Sequence, residues 1–460
     1  MLEMFEILLA LLASLMPFVI GQRYGLLRYA SPIHIVSYLV IFGFFLKAIA
    51  YSIAPELAFY SNFMVDDIAV GWGYFYLTLF ILTLCLGYFG GVRRNDHFGG
   101  DAARQFAQRI RSPWMLLTVG AGLTALVTVL YFQAHDSGVS LTDSSLQSFA
   151  DISAAKVVKI EEESSFGNSY ALIKLFYVIP AVIFVLLLYR FLERGKANHL
   201  PVIFGSGILL IFSAFIQGKR GDLLDIMIYA LIALAIAGRR LNLRVLMSGL
   251  LFVIPLMATF SVISNLRMGR GRSGEYVLLS LDSFKPIITS TYFIDINIPI
   301  LLTTYMKNGE YLGGLSYLYW IYGWIPRALW PEKPIVALGT YVKNDVLGIR
   351  SIGGYNPTGA GEAFMNFGWL GIVVAFALGY FFRRSEAYFL SEKGIATRYG
   401  IVMYPVILMA AVQGFLQSSF SAVAISLIAQ TIVVGILCWL LIKPADAKRP
   451  MTRRPIGRAG

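Results

Sequence analysis

Four clusters in the second half of this chain carry side chains suited to a phosphorylated ligand. The first is Gln217-Gly218-Lys219-Arg220-Gly221-Asp222-Leu223-Leu224-Asp225. A guanidinium fork beside an ammonium matches the spread oxygens of a pyrophosphate, and the short turn between two apolar runs holds both at the mouth of a helix bundle. A pair between Arg220 and Asp222 or Asp225 that only secures the turn is the competing reading. The second cluster sets Arg267, Arg270 and Arg272 between glycines, a flexible cationic segment suited to oxyanions or to lipid headgroups. In the third, Ile325 to Pro334, three prolines restrict the backbone around Arg327 and Lys333, as a binding group requires. An interface anchor built on Trp330 with snorkelling cations is the alternative there. The fourth runs from Gly353 to Gly368: Tyr355 and Asn356 precede a helix start whose free N–H groups suit an anion, and glycines allow close backbone approach to a ligand. Glu362 is the carboxylate nominated to activate an acceptor hydroxyl, against the plainer role of a first-turn glutamate that complements its own helix dipole.

The elements that must position these groups are membrane helices. Apolar stretches at 5–21, 33–54, 68–90, 114–134, 170–189, 200–217, 222–238, 245–265, 363–382, 399–417 and 421–442 have the length to cross a bilayer, giving an all-α polytopic protein with about eleven transmembrane helices. Most of the 38 basic residues fall in alternate connections, among them Arg93, Arg94, Arg239, Arg240, Arg383 and Arg384, so the amino terminus is expected outside and the carboxyl terminus inside. Residues 2–20 lack a basic leader and read as a retained first helix. One transmembrane domain, 1–442, is followed by a basic tail, 443–460. Two external segments are long: 135–169, with a short helical pattern at Leu146 to Ile160, and 266–362. Within the second, the broken apolar stretch 286–306 and the aromatic stretch 315–329 read as interfacial or re-entrant helices, because a single crossing by either would invert Arg383 and Arg384. Lys47 and Lys174 lie near outer span ends and read as snorkelling cations.

Composition narrows the function further. With 14% charged residues, a net charge of +12 is the signature of positive-inside topology rather than of a nucleic-acid surface. Cys85 and Cys438 both lie within apolar runs, which argues against a disulfide framework or a thiolate metal site. His34, His97, His135 and His199 are scattered, and no phosphate-loop sequence occurs, so no metal site, cofactor or nucleotide hydrolysis is expected. Asp66-Asp67 reads as a helix cap in preference to a metal pair.

The Gly218-Lys219-Arg220-Gly221 hairpin, the stretch from Ile325-Pro326-Arg327 to Lys333-Pro334, and Gly359 to Gly371 with Glu362 and Asn366-Phe367-Gly368 resemble the bacterial O-antigen polymerases, the Wzy-like oligosaccharide repeat-unit polymerases, over roughly residues 200–385. The resemblance implies a GT-C-like glycosyltransferase of the inner membrane, with its site on the periplasmic face and without a metal. Its substrates would be undecaprenyl-pyrophosphate-linked glycans, with membrane lipids and a chain-length regulator protein as further partners. Arg220 and Arg267 would stabilise the departing pyrophosphate, and Glu362 or Asp295 would take the acceptor proton. Lys219, Arg270, Arg272, Arg327, Lys333, Tyr355 and Asn356 would bind substrate. An O-antigen ligase and a flippase for anionic lipid-linked sugars are the alternatives.

Overall fold

Apolar runs this long fold as helices because only the helix satisfies every backbone group internally without water. The computed structural model describes residues 2–135, 173, 175–195, 199–217, 221–240, 293–306, 311–325, 329–330, 332, 338–349 and 354–444. In chain order the helices are α1 (Leu2–Tyr24), α2 (Pro32–Ile53), α3 (Asp67–Gly90), the short amphipathic α4 (Gly100–Arg109), α5 (Pro113–His135), α6 (Leu175–Arg194), α7 (Leu200–Gln217) and α8 (Gly221–Ile236). They are followed by α9 (Asn297–Tyr305), α10 (Thr358–Phe367), α11 (Ile372–Phe389), α12 (Gly400–Gln417) and α13 (Phe420–Leu441). Eight candidate membrane spans occur among the described residues, α10 and α11 counting as one, with shorter apolar helices at α7 and α8. The expected span at 245–265, the pattern at Leu146 to Ile160, Lys174 and the tail beyond Pro444 lie outside the described residues. Among those described, the isolated extended pairing is a bridge between Ile110 and Ile442.

Asp66 caps α3, accepting from the Ala69 N–H at 2.7 Å, as its place before the apolar run suggests. The span expected at 363–382 is interrupted. Gly368 takes φ 57°, a left-handed conformation open to glycine, and a short 3-10 turn, Gly368–Gly371, separates α10 from α11. The N–H groups of Leu312 and Gly313 donate to the carbonyls of Met365 and Asn366 at 2.9 and 3.1 Å, satisfying the acceptors that the end of α10 leaves free. The stretch at 286–306 contributes α9, nine residues long, which at about 1.5 Å per residue is too short to cross a bilayer. Its residues Asn297 through Thr303 are all buried.

α3 and α11 form the most extensive helix pair. Gly87 of α3 and Gly379 of α11 set the contact: a methyl at Gly87 would collide with the Phe376 carbonyl, and one at Gly379 with that of Leu84. A glycine on each partner lets the backbones touch, which drives helix association in lipid where hydrophobic collapse does not.

One end of the bundle gathers the basic connections. Arg109 donates to the carbonyls of Lys443 (2.9 Å) and Ala396 (2.8 Å), Arg239 to that of Leu192 (3.1 Å) and Arg398 to that of Trp439 (3.1 Å). These guanidinium groups cap carbonyls at helix ends. Beneath them Arg383, 2% exposed, pairs with Glu386 at 2.9 Å and Asp96 at 3.1 Å, while Tyr88 also donates to Glu386. Segments about 90–112, 190–195, 239, 383–399 and 443 therefore share one end, the grouping that their charge suggested.

Candidate functional site

Glu362 is the centre of a buried polar cluster. It sits in the second turn of α10, not the first, and is 0% exposed. Its Oε1 accepts from Ser316 Oγ at 2.6 Å, and its Oε2 from the backbone N–H of Phe420 at 2.5 Å. Phe420 is the first residue of α13, so the carboxylate complements a helix dipole, but that of α13 rather than its own helix. Asn366, one turn further along α10, donates through Nδ2 to Ser316 Oγ (2.7 Å) and to the Glu362 carbonyl (2.8 Å). Ser421 Oγ donates to the Ser316 carbonyl (2.5 Å) and accepts from the Trp320 N–H (3.2 Å). Three pieces of chain are thus tied at one carboxylate: α10, the aromatic turn at 315–323 and the start of α13.

The helix carrying Glu362 begins at a strained residue. Thr358 is fully buried with φ 64°, a region that disfavours β-branched side chains, and its Oγ1 accepts from the Gly361 N–H at 3.4 Å. The glycines around it approach protein. A Cβ at Gly359 would strike the Phe415 carbonyl, and one at Gly361 the Leu302 side chain. Gly361 thus meets protein, while Gly359 also lines the cavity beside Glu362, where its backbone is open to a ligand.

A cavity of about 860 Å³ opens against this cluster. Tyr317, Trp320 and Glu362 line it at one end, with Leu370 of the 3-10 turn and Val374, Ala377 and Phe381 along α11. The Tyr317 hydroxyl is buried without a hydrogen-bond partner among the described residues. Burial, with the Glu362 carboxylate nearby, holds that phenol well above its ordinary range, so it is a proton donor at any physiological pH.

The structure describes four of the residues nominated from sequence, Asp295 among them. Glu362 lines the cavity. Tyr355 and Asn356 do not: the Tyr355 ring packs on Phe59 at 4.8 Å, and Asn356 is exposed at the approach to α10. Lys219, Arg220, Arg267, Arg270, Arg272, Arg327 and Lys333 lie outside the described residues. The flanks of the Lys219-Arg220 hairpin are described, and Asp225 on α8 accepts from Gln413 Nε2 at 3.0 Å. Gln413 belongs to the last turns of α12, next to Phe415 of the cavity wall, so the hairpin's second helix docks at the Glu362 end of the bundle.

A second polar cluster was not anticipated. Lys47, read as snorkelling, is 0% exposed and lies 3.9 Å from Asp295. Asn297 donates to Asp295 Oδ1 (2.9 Å) and to Tyr51 Oη (3.0 Å), and its Oδ1 accepts from the Phe59 N–H (2.9 Å). The wide helical turn Ile41–Phe45 shifts α2 by part of a turn, and bare Gly43 lets the backbone of Ile294 lie against it. Lys47 therefore faces protein instead of the interface. Ser316 and Asn297 carried no sequence signal beyond lying in interrupted apolar stretches.

No protein-family model, no curated protein and no solved structure matches this chain.

Proposed function

We propose that this protein polymerises undecaprenyl-pyrophosphate-linked oligosaccharide repeat units, of O-antigen or a related surface polysaccharide, at the outer face of a bacterial inner membrane. The observation that carries the reading is a buried carboxylate, Glu362, on the wall of an apolar cavity, at the bundle end where α8, the helix that follows Lys219-Arg220, is tied through Asp225 to Gln413. The basic end described above faces the cytoplasm in this reading, which puts Glu362 on the opposite side of the membrane.

In the reaction, the hydroxyl oxygen of an incoming lipid-linked unit attacks the anomeric carbon of the growing glycan. The bond from that carbon to pyrophosphate breaks, its electron pair leaves on pyrophosphate, and the configuration inverts. Arg220 and Arg267 stabilise the charge on the leaving group, with Lys219, Arg270, Arg272, Arg327 and Lys333 holding phosphate and sugar, so a divalent metal is not required. The hydroxyl proton passes to a carboxylate. Glu362 is favoured over Asp295, because it borders the cavity whereas Asp295 is engaged with Asn297 and Lys47. The test is the surface-glycan profile of a deletion strain. Loss of long chains with a single repeat still attached to core supports polymerisation, whereas loss of every repeat points to the ligase reaction. The buried Lys47–Asp295 pair is what a transporter for lipid-linked sugars would place at membrane depth. Unflipped intermediates accumulating on the cytoplasmic side of the deletion strain would favour that reading.

A further inference from the structure

The hydrogen bonds that end on Glu362 all run in one direction. They start at the Gly314 N–H, which donates to Asn366 Oδ1 at 3.0 Å. A backbone N–H can only donate, so the oxygen of this amide must face it, and Nδ2 is left to meet Ser316 Oγ and the Glu362 carbonyl. Both hydrogens of that nitrogen are then in use. With a lone pair taken by Asn366, the Ser316 hydroxyl turns its own hydrogen to Glu362 Oε1. The Phe420 N–H, again a group that can only donate, meets Oε2. A proton placed on Oε1 toward Ser316 would leave the serine hydrogen without an acceptor among the described residues, and a buried donor left unmet is costly. No ion pair among the described residues includes Glu362, so these donors, and not a cation, meet its charge. The titratable side chains around this part of α10 are phenols: Tyr317 and Tyr319 of the aromatic turn, and Tyr76 of α3, which donates to the Ala360 carbonyl at 3.2 Å.

We propose that Asn366 is a positioning residue: through Ser316 it keeps Glu362 Oε1 an acceptor, which favours the charged carboxylate and confines an incoming proton to the lone pairs left free toward the cavity. A carboxylate offers about four such positions, two of which Ser316 and Phe420 occupy, and Glu362 lines the cavity. The inference deepens the proposed function, in which Glu362 is the base, but the protonation it concerns is measured without turnover.

Dicyclohexylcarbodiimide, an apolar reagent that modifies carboxyl groups in their protonated form, supplies the measurement. Purified protein is treated at neutral pH, the adduct is located at Glu362 by mass spectrometry, and rates are taken per folded protein. Ser316→Ala removes the donor, and Asn366→Asp gives the Ser316 hydroxyl a competing acceptor, so that it turns from Glu362. Each should raise the rate roughly ten- to a hundredfold, the value of one hydrogen bond to a charged group, and either carries the test if the other does not fold. Ser421→Ala loosens the same joint, through the Ser316 carbonyl and the Trp320 N–H, but takes no donor from the carboxylate, so it should label at the wild-type rate. The infrared band of the protonated carboxyl, assigned by its loss when Glu362→Gln is added, should grow in the first two variants alone, a change that easier access of the reagent cannot imitate. Wild-type rates in Ser316→Ala and Asn366→Asp, or an equal rise in Ser421→Ala, would overturn the assignment. A normal glycan profile in the deletion strain would instead reject the polymerase reading and leave these rates standing.

Discussion

Both oxygens of Glu362 accept hydrogen bonds from the protein, so this carboxylate holds the fold together as well as facing the cavity. An amide cannot accept at both positions, so in Glu362→Gln, with Oε1 kept on the Phe420 N–H, Ser316 Oγ must turn to accept from the new NH2 and loses the carboxylate as its own acceptor. We expect a loss of about 1.5–3 kcal/mol in stability, read as a lower melting temperature in detergent. If Glu362 is also the base, polymer formed per folded molecule falls too; unchanged specific activity would confine it to a structural part. Arg220 gives the opposite pattern. Arg220→Lys keeps the charge and removes the fork, so polymer synthesis should fall roughly ten- to a thousandfold, about 1.4 to 4 kcal/mol, with membrane abundance unchanged. Normal polymer from well-expressed Arg220→Ala would remove that residue from the site. At Thr358, glycine relieves the φ 64° strain, and Thr358→Gly should melt higher by roughly 1 kcal/mol or more despite the lost Gly361 contact. At this scale the sequence identified Glu362 by type and context, but its hydrogen-bond partners come from segments about fifty residues away on either side, a distance no local pattern encodes.

Helices were legible wherever hydropathy alone decides them. Their interruptions were not, because the break at Gly368 and the wide turn at Ile41–Phe45 follow from what packs against them: Tyr311 and the 312–313 backbone in one case, Ile294 in the other. Glycine roles were legible only as freedom to approach something. The structure supplies protein backbone as that something, most clearly between α3 and α11. Gly379→Leu should therefore drive these helices apart and lower folded yield by more than the about 1–3 kcal/mol typical of overpacking, whereas Gly122→Leu, where an added Cβ meets nothing, should be neutral. Equal yields for the two would mean that the α3–α11 approach is not as close as described. The Arg383 network gives a second check at this scale: Arg383→Ala leaves Glu386 buried without a cation, while Asp96 keeps Arg384, and should cost roughly 3–5 kcal/mol, seen as loss of folded protein.

For the molecule as a whole, the charge bias of the connections and the grouping of their arginines at one end agree, and the orientation they suggest is open to labelling. Cys85 and Cys438 are buried, so introduced cysteines give a clean signal. In intact spheroplasts an impermeant maleimide should label Asn62→Cys, beside the Lys47–Asp295 end, and spare Ser112→Cys at the basic end; equal labelling would reject the orientation. The chain also makes its Lys47–Asp295 pair in a fixed order in time. Ribosomes add about 5–20 residues per second, so Asp295 emerges on the order of ten to fifty seconds after Lys47 has already entered the membrane. Through that interval the second helix must carry an ammonium near its outer end without the carboxylate that later meets it. Nascent chains halted before Asp295 should hold α2 in the bilayer less firmly than those halted beyond it, and ribosome-stalled truncations probed by alkali extraction would show the difference. The second helix is thus completed by a residue synthesised half a chain later, which makes its retention a checkpoint on translation itself.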